Sequence, residues 1–253
     1  MQFENIKNQD LFNRLNKFNQ SHVLQFWDEL CPLQKDELTD QLESFDFQLI
    51  ESLTNLASAQ SPWEKIAQAA EVPPAITLLQ QSPDQPLYQQ ARTAGEEALA
   101  AGKVGMILVA GGQGTRLGFD HPKGMFPIGP VSDRTLYQMH FEQVLGRSRQ
   151  FGVRIPLYVM TSPPTHDETT QFLTDHQFFG MDPADVKIFC QGVMPAVDQK
   201  GKLLLETKSR VFVSPDGHGG TLEALARSGC VQHATTRGVA HRSSGQVDNP
   251  LSH

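Results

Sequence analysis

Leu11, Leu15 and Phe18 recur at helical spacing near the start of the chain, and Asp10 stands where it could cap the first turn. Val23, Trp27 and Leu30 extend the apolar pattern after Ser21, and Pro32 interrupts it. Leu38, Leu42, Phe45, Leu49, Leu53 and Leu56 then step by four, three, four, four and three, which predicts one amphipathic helix with a single apolar stripe. Three such helices can cover one another or a following domain, so residues 1–58 read as packing rather than chemistry. Residues 59–85 lose the periodicity, and Pro62, Pro73, Pro74 and Pro83 mark a connecting segment. A helix is expected again from Pro86 to Ala101, ended by Gly102.

The pattern changes at Val104. Val104, Met106, Ile107, Leu108 and Val109 have the length and composition of a buried strand. Thr135 can cap a helix carrying Leu136, Met139, Val144 and Leu145. Ile155 to Met160 reads as a strand, and Thr165 with Glu168 as a capping box for a helix ending near His176. Val186 to Cys190 is a further strand, Leu203–Leu205 and Val211–Val213 are candidate short strands, and Gly220 to Gly229 suggests a short helix. This alternation predicts an α/β fold: a mostly parallel sheet with helices on both faces and ligands at the carboxyl ends of the strands. The expected division is a helical region and linker over 1–102 and an α/β domain over 103–253. No internal repeat is evident.

The strand at Val104–Val109 runs into Gly111, Gly112 and Gly114, followed by Arg116 and Lys123. Glycines permit sharp turns and let backbone N–H groups close on an anion. Arg can fork two phosphate oxygens, and Lys adds a compact charge. A structural turn is the competing reading. Gly112, Gly114 and Gly118 are spaced GxGxxxG, not the dinucleotide GxGxxG, and no Gly-Lys-Ser/Thr follows. A nucleotide-phosphate site fits the string best.

The full run Gly111-Gly112-Gln113-Gly114-Thr115-Arg116-Leu117-Gly118, with Pro122-Lys123-Gly124 close behind, resembles the signature of the UDP-sugar pyrophosphorylases, nearest the UDP-N-acetylglucosamine pyrophosphorylase branch. The resemblance covers about residues 1–230. It implies a nucleotide-diphospho-sugar transferase-like, Rossmann-like fold, and transfer of uridylyl from UTP to N-acetylglucosamine 1-phosphate with release of pyrophosphate. It also implies Mg²⁺ as cofactor. On the matching positions, Val109, Ala110, Gly111 and Gly112 approach uridine and phosphate, while Gly114 and Thr115 shape the phosphate loop. Arg116 and Lys123 neutralise the triphosphate and leaving group. Gln191, in a QG-x-x-PA segment, matches a uracil contact, which suits a side chain offering both a donor and an acceptor. Gly217, in a PDG-x-GG segment, matches a nucleotide contact, and His218 stands where better-known eukaryotic relatives carry an Asn that contacts the sugar. Asp248, in a VDN segment, matches a carboxylate near Mg²⁺. A lone carboxylate, a loop glutamine or a turn histidine each has an ordinary surface reading as well.

Two departures from the family pattern stand out. The run Val239-Ala240-His241-Arg242-Ser243-Ser244-Gly245-Gln246 is polar and glycine-broken where the family has an apolar strand, so a weak strand and a poorly placed Asp248 are expected. The sequence also stops at His253, before the family's acceptor side, so the sheet is expected to be incomplete at its C-terminus. A fragment, a damaged reading frame or a decayed paralogue would each give this pattern. A glucose 1-phosphate or broad-range enzyme and an inactive nucleotide-binding protein are therefore the alternative functions.

Composition narrows the classes. With 39% hydrophobic and 19% charged residues the 253-residue chain is ordinary for a globular protein. A formal charge of −7, with scattered Lys and Arg, disfavours nonspecific nucleic-acid binding. No basic apolar leader and no membrane-length apolar span is present in the sequence. Cys31, Cys190 and Cys230 are widely spaced without a CxxC pair, and the nine histidines show no zinc spacing, so a reducing cytoplasm is expected.

Overall fold

The computed structural model describes residues 9–58, 63–72 and 85–250. In chain order the helices are α1 (Gln9–Lys17), α2 (Pro32–Glu43), α3 (Phe47–Ser58), α4 (Trp63–Gln68), α5 (Pro86–Ala100), α6 (Leu136–Phe151), α7 (His166–Asp175), α8 (Thr221–Arg227) and α9 (Cys230–Thr236). The strands are β1 (Val104–Val109), β2 (Leu157–Thr161), β3 (Val186–Cys190), β4 (Val193–Pro195), β5 (Leu205–Thr207), β6 (Arg210–Val211), β7 (Val213–Pro215) and β8 (His241–Gln246). Two compact units result, one of residues 1–74 with 193–215, the other of 75–192 with 216–253. This division differs from a cut at 102/103: α5 belongs with the sheet, and the β4–β7 segment with the N-terminal helices.

In the first unit, Leu11, Leu15, Val23, Trp27, Leu38, Leu42, Phe47 and Ile50 share one core with Leu203 and Val211. The single helix expected through Leu56 is instead two. Ser44 Oγ donates to the Gln41 carbonyl (2.7 Å) as α2 closes, and Asp46 Oδ1 accepts the Leu49 N–H (2.9 Å) as α3 opens. The break rotates the stripe, burying Phe47 and Ile50 and leaving Leu49 and Leu53 exposed; the Leu56 side chain lies outside the described residues. Pro32 starts α2 rather than interrupting a helix, its missing N–H costing nothing in a first turn. Val23 and Trp27 sit in short 3₁₀ turns, and Asp10 falls inside the first turn of α1. The four prolines expected to interrupt residues 59–85 lie outside the described residues. Two glutamines bind the β-segment: Gln41 brackets both backbone groups of Val211 (2.8 and 3.0 Å), and buried Gln20 holds Gly201 O and Leu203 N–H (2.8 and 3.0 Å).

The second unit carries a four-stranded, all-parallel sheet in the order β3-β2-β1-β8. β2 is buried at every position, and Leu157, Val159, Phe141, Val144 and Leu173 fill one face while Tyr158, Met160, Ala224 and Ala234 fill the other. Thr135 caps α6 as expected, accepting the Gln138 N–H (3.2 Å). The capping box at Thr165 and Glu168 does not form. Thr165 Oγ1 instead accepts the Ser162 N–H (3.0 Å), and Glu168 reaches His121 (2.5 Å). α9 was not anticipated. β8 corrects the expectation of a weak last strand: it pairs with β1 in continuous register from Val104↔His241 to Val109↔Gln246. An edge strand is held by backbone hydrogen bonds, and its polar side chains stay in water.

Candidate active site

The glycine-rich loop leaves the carboxyl end of β1 and is folded mainly on itself. Gly114 N–H donates to the His121 carbonyl (2.9 Å) and Lys123 N–H to the Gly112 carbonyl (2.9 Å), closing a short ladder through Gln113 and Pro122. A Cβ on Gly114 would stand 2.7 Å from the Phe119 carbonyl oxygen, so this glycine is required by the loop itself. Gly112 differs, for nothing lies within 4 Å of a Cβ there, and its Cα faces open space. Thr115 and Arg116 form an exposed 3₁₀ turn ended by Gly118 at φ +68°. Arg116 makes no ion pair among the described residues. Gly124 is needed for packing: its Cβ would fall 2.2 Å from Cζ of the buried Tyr137 ring.

Gln191 follows β3, as expected. Its N–H donates to the Thr161 carbonyl (2.8 Å), which fixes the residue at the end of β2. Its side-chain amide lies against Gly111, where a Cβ would approach Nε2 to 3.1 Å. Ala110 is anchored by its own N–H to the Met160 carbonyl (2.8 Å), and Val109 ends β1 beside it. Ser162 was missed by sequence reading. It follows β2 and donates its Oγ–H to the Gly111 carbonyl (2.6 Å), and the preference of ligands for strand carboxyl ends could have drawn attention to it. Together these contacts hold the Gly111 backbone and the Gln191 amide beside each other.

The Gly192 and Gly220 positions have a shared cause that the motifs alone conceal. A Cβ on either would fall 2.3 or 2.0 Å from the Asp216 carboxylate, so both glycines make room for Asp216. Asp216 Oδ1 is buried with no hydrogen-bond partner among the described residues. It borders a cavity of about 280 Å³ that Gln191, Gly192 and Cys190 also line. Gly217 adopts φ +70°, a conformation glycine takes at little cost, and turns the chain into His218. His218 is exposed, its Nε2 3.0 Å from Gln246 Nε2 at the end of β8.

Asp248 lies two residues beyond β8, within reach of Lys123. Lys123 Nζ donates to its Oδ2 (2.9 Å), and that hydrogen bond holds the carboxyl pKa below its ordinary value. His140 lies beneath, fully buried, with Nε2 3.0 Å from the Val247 carbonyl; burial lowers its pKa. The structure thus brings Val109–Gly112, Gly114, Lys123, Gln191 and Asp248 to the carboxyl ends of one sheet, with Arg116 on the exposed loop and Gly217 and His218 beside the end of β8. As a cation site, the segment after β8 supplies the ionised, half-exposed Asp248 carboxylate. No group of three or more His, Cys, Asp or Glu side chains gathers among the described residues. That donor set fits an ion sharing its coordination with substrate phosphates, not one caged by protein. A larger, mostly apolar groove of about 860 Å³ lined by Ala98, Leu99, Met106 and Val144, with Arg147 and His241 also on its wall, contains none of these residues.

A parallel sheet with a glycine-rich, cation-bearing loop at its strand ends is the construction of a nucleotide-sugar nucleotidyltransferase domain. Residues 45–252 match the family described as UTP--glucose-1-phosphate uridylyltransferase, and the chain belongs to that family. Among relatives, it is 33% identical to UDP-N-acetylglucosamine diphosphorylase 2 of Arabidopsis thaliana, across 96% of this chain and 50% of that protein. It is 35% identical to human UDP-N-acetylhexosamine pyrophosphorylase-like protein 1, across 96% and 50%. The chain spans about half the length of these curated relatives. Its fold is similar to a Trypanosoma brucei uridine diphosphate N-acetylglucosamine pyrophosphorylase solved in complex with inhibitor (TM-score 0.76, 27% identity, 98% of this chain and 53% of that one). A structure described as a putative UDP-N-acetylglucosamine pyrophosphorylase from Entamoeba histolytica also matches (TM-score 0.63, 33% identity, 72% and 46%). Among the described residues, no helix is long and apolar enough to cross a membrane.

Proposed function

We propose that the protein is a UTP-dependent sugar-1-phosphate uridylyltransferase that forms UDP-N-acetylglucosamine and pyrophosphate from UTP and N-acetylglucosamine 1-phosphate. The observation that supports it most is the convergence, in one unit, of the Gln191 amide on Gly111 and of Lys123 on Asp248. The first pair offers a donor and an acceptor for a uracil edge beside backbone that a nucleoside can approach. The second places a cation and a carboxylate beside the phosphate loop.

In this reading a sugar-phosphate oxygen attacks the α-phosphorus of UTP in line, the bond to the β-phosphate oxygen breaks, and pyrophosphate departs. No covalent enzyme intermediate is required, so the protein's work is alignment and charge stabilisation. Gly111, Gly112, Gly114 and Thr115 cradle the phosphates, and Arg116 and Lys123 oppose the charge on the leaving pyrophosphate. Gln191 and Gly217 orient the base, and His218 faces the sugar. Asp248 would hold Mg²⁺ together with substrate oxygens, and that ion would supply further neutralisation of phosphate charge. The choice of N-acetylglucosamine 1-phosphate rests on the names of the most similar relatives; the family's own description favours glucose 1-phosphate as the second reading. Three free cysteines suit a reducing compartment, and the proposal extends to the cytoplasm.

The test is pyrophosphate release from UTP and Mg²⁺ with either sugar phosphate, alongside calorimetric titration of UTP. In a protein that also carries the family's acceptor side, sustained release with N-acetylglucosamine 1-phosphate at a higher kcat/KM is the expected result; residues 1–253 alone are expected to give at most weak UTP binding. Preference for glucose 1-phosphate would favour the second reading, and UTP binding without release would leave a nucleotide-binding protein.

A further inference from the structure

His140 is fully buried on α6, yet no step of the reaction described above uses it. Its Nε2 lies 3.0 Å from the Val247 carbonyl oxygen. A carbonyl can only accept, so Nε2 carries the proton and the ring is the donor. Three residues further along the same helix, Gln143 Nε2 donates to the Pro250 carbonyl at 2.5 Å. Residues three apart on a helix lie on one face, so α6 presents two donors to the backbone on either side of Asp248. Val247 itself is buried in one core with the α6 side chains Phe141 and Val144, and its N–H donates to the Val109 carbonyl (3.0 Å). The segment after β8 is therefore held by α6 and by β1, with the Asp248 side chain meeting Lys123.

We propose that His140 is a positioning residue for Asp248, with Gln143 as its second support, so that α6 fixes where the metal-facing carboxylate stands. The assignment rests on the uridylyltransferase reading for its role, though not for its geometry. His140 Nδ1 is buried without a partner among the described residues. An apolar residue of similar size would fill this site without an unpartnered Nδ1, but it would leave the Val247 carbonyl without this donor, so packing alone does not account for a histidine here. What the imidazole adds is the directed bond to the Val247 carbonyl. Groups that orient a metal ligand from behind commonly carry a large share of metal affinity.

The test compares His140→Phe, which keeps the volume and loses the donor, with His140→Gln, which keeps an amide donor at similar reach. UTP is titrated into each protein with and without MgCl₂, and amide hydrogen exchange is followed over residues 247–249. His140→Phe is expected to lose the Mg²⁺-dependent part of UTP affinity by about 10- to 100-fold, while binding without Mg²⁺ stays close to the unaltered protein. Exchange over 247–249 should quicken, and His140→Gln should restore both readouts. Gln143→Leu should produce a smaller change in the same direction. A full Mg²⁺ gain in a folded His140→Phe protein, or equal impairment of the Phe and Gln variants, would overturn the proposal. If the unaltered protein binds no UTP, the uridylyltransferase reading fails instead. The exchange data still decide the geometry: unchanged protection in His140→Phe would overturn it on its own.

Discussion

Tyr137 shows how much of a binding motif can be packing. Its ring is fully buried beneath Gly124, its hydroxyl is 3.2 Å from Thr169 Oγ1, and burial pushes its pKa up to about 12 from an ordinary 10. Below pH 10 the phenol keeps its proton in both folded and unfolded chains, so its contribution to stability is constant. Between pH 10 and 12 only the unfolded chain ionises, and stability falls as pH rises. Two pKa units correspond to about 2–3 kcal/mol by the top of that window. Urea denaturation from pH 9 to 12 should show this loss, and Tyr137→Phe should flatten it; Tyr158, also raised by burial, keeps a residual slope. An identical slope in Tyr137→Phe would contradict the assignment. Gly124→Ala forces a methyl into the same ring and should cost about 1–3 kcal/mol or more, read as a lower thermal midpoint. The Pro-Lys-Gly run was legible as a motif, but which of its residues faces a ligand was not. Lys123 reaches Asp248, whereas Gly124 serves Tyr137, a partner 13 residues away that no local pattern specifies.

At the scale of elements, β8 is the instructive case. Its composition argued against a strand because propensity measures how side chains suit a half-buried pleated surface. At an edge that term is small, and the ladder with β1 together with the burial of Val247 just beyond decides the outcome. Ser243→Ala and Ser244→Ala should therefore change stability by less than about 0.5 kcal/mol. Val247→Ala should cost about 2 kcal/mol through a cavity above α6. Chemical denaturation of the three variants checks this, and comparable losses in all three would mean that the strand depends on its polar side chains after all. The break between α2 and α3 was hidden for a related reason. The leucine spacing continues through it, while Ser44 and Asp46 close and cap the two helices, and short polar caps carry little weight in a periodicity. The β1 and β2 strands were readable because burial on both faces leaves continuous apolar runs, and β3 because Val186, Ile188 and Phe189 keep an apolar pattern around the exposed Lys187.

At the scale of the whole molecule, strand–helix alternation made the parallel sheet legible, and the glycine-rich loop pointed to the strand ends where the candidate site is placed. The grouping of residues 193–215 with the N-terminal helices was not legible. It depends on Gln20 and Gln41 reaching backbone about 170 or more residues away, and such pairings leave no periodic trace. The candidate site lies wholly within the other unit, so its central claim can be tested through one contact. Gln191 rests against Gly111 at the end of β1, where a uracil edge would meet both donor and acceptor. The direct measurement is calorimetric competition between UTP and CTP on the unaltered protein and on Gln191→Ala. The expected result is a UTP preference that shrinks by about fivefold to tenfold in Gln191→Ala, the worth of one net hydrogen bond. Equal affinity for UTP and CTP in the unaltered protein, or an undiminished preference after Gln191→Ala, would contradict the placement of the base against Gln191.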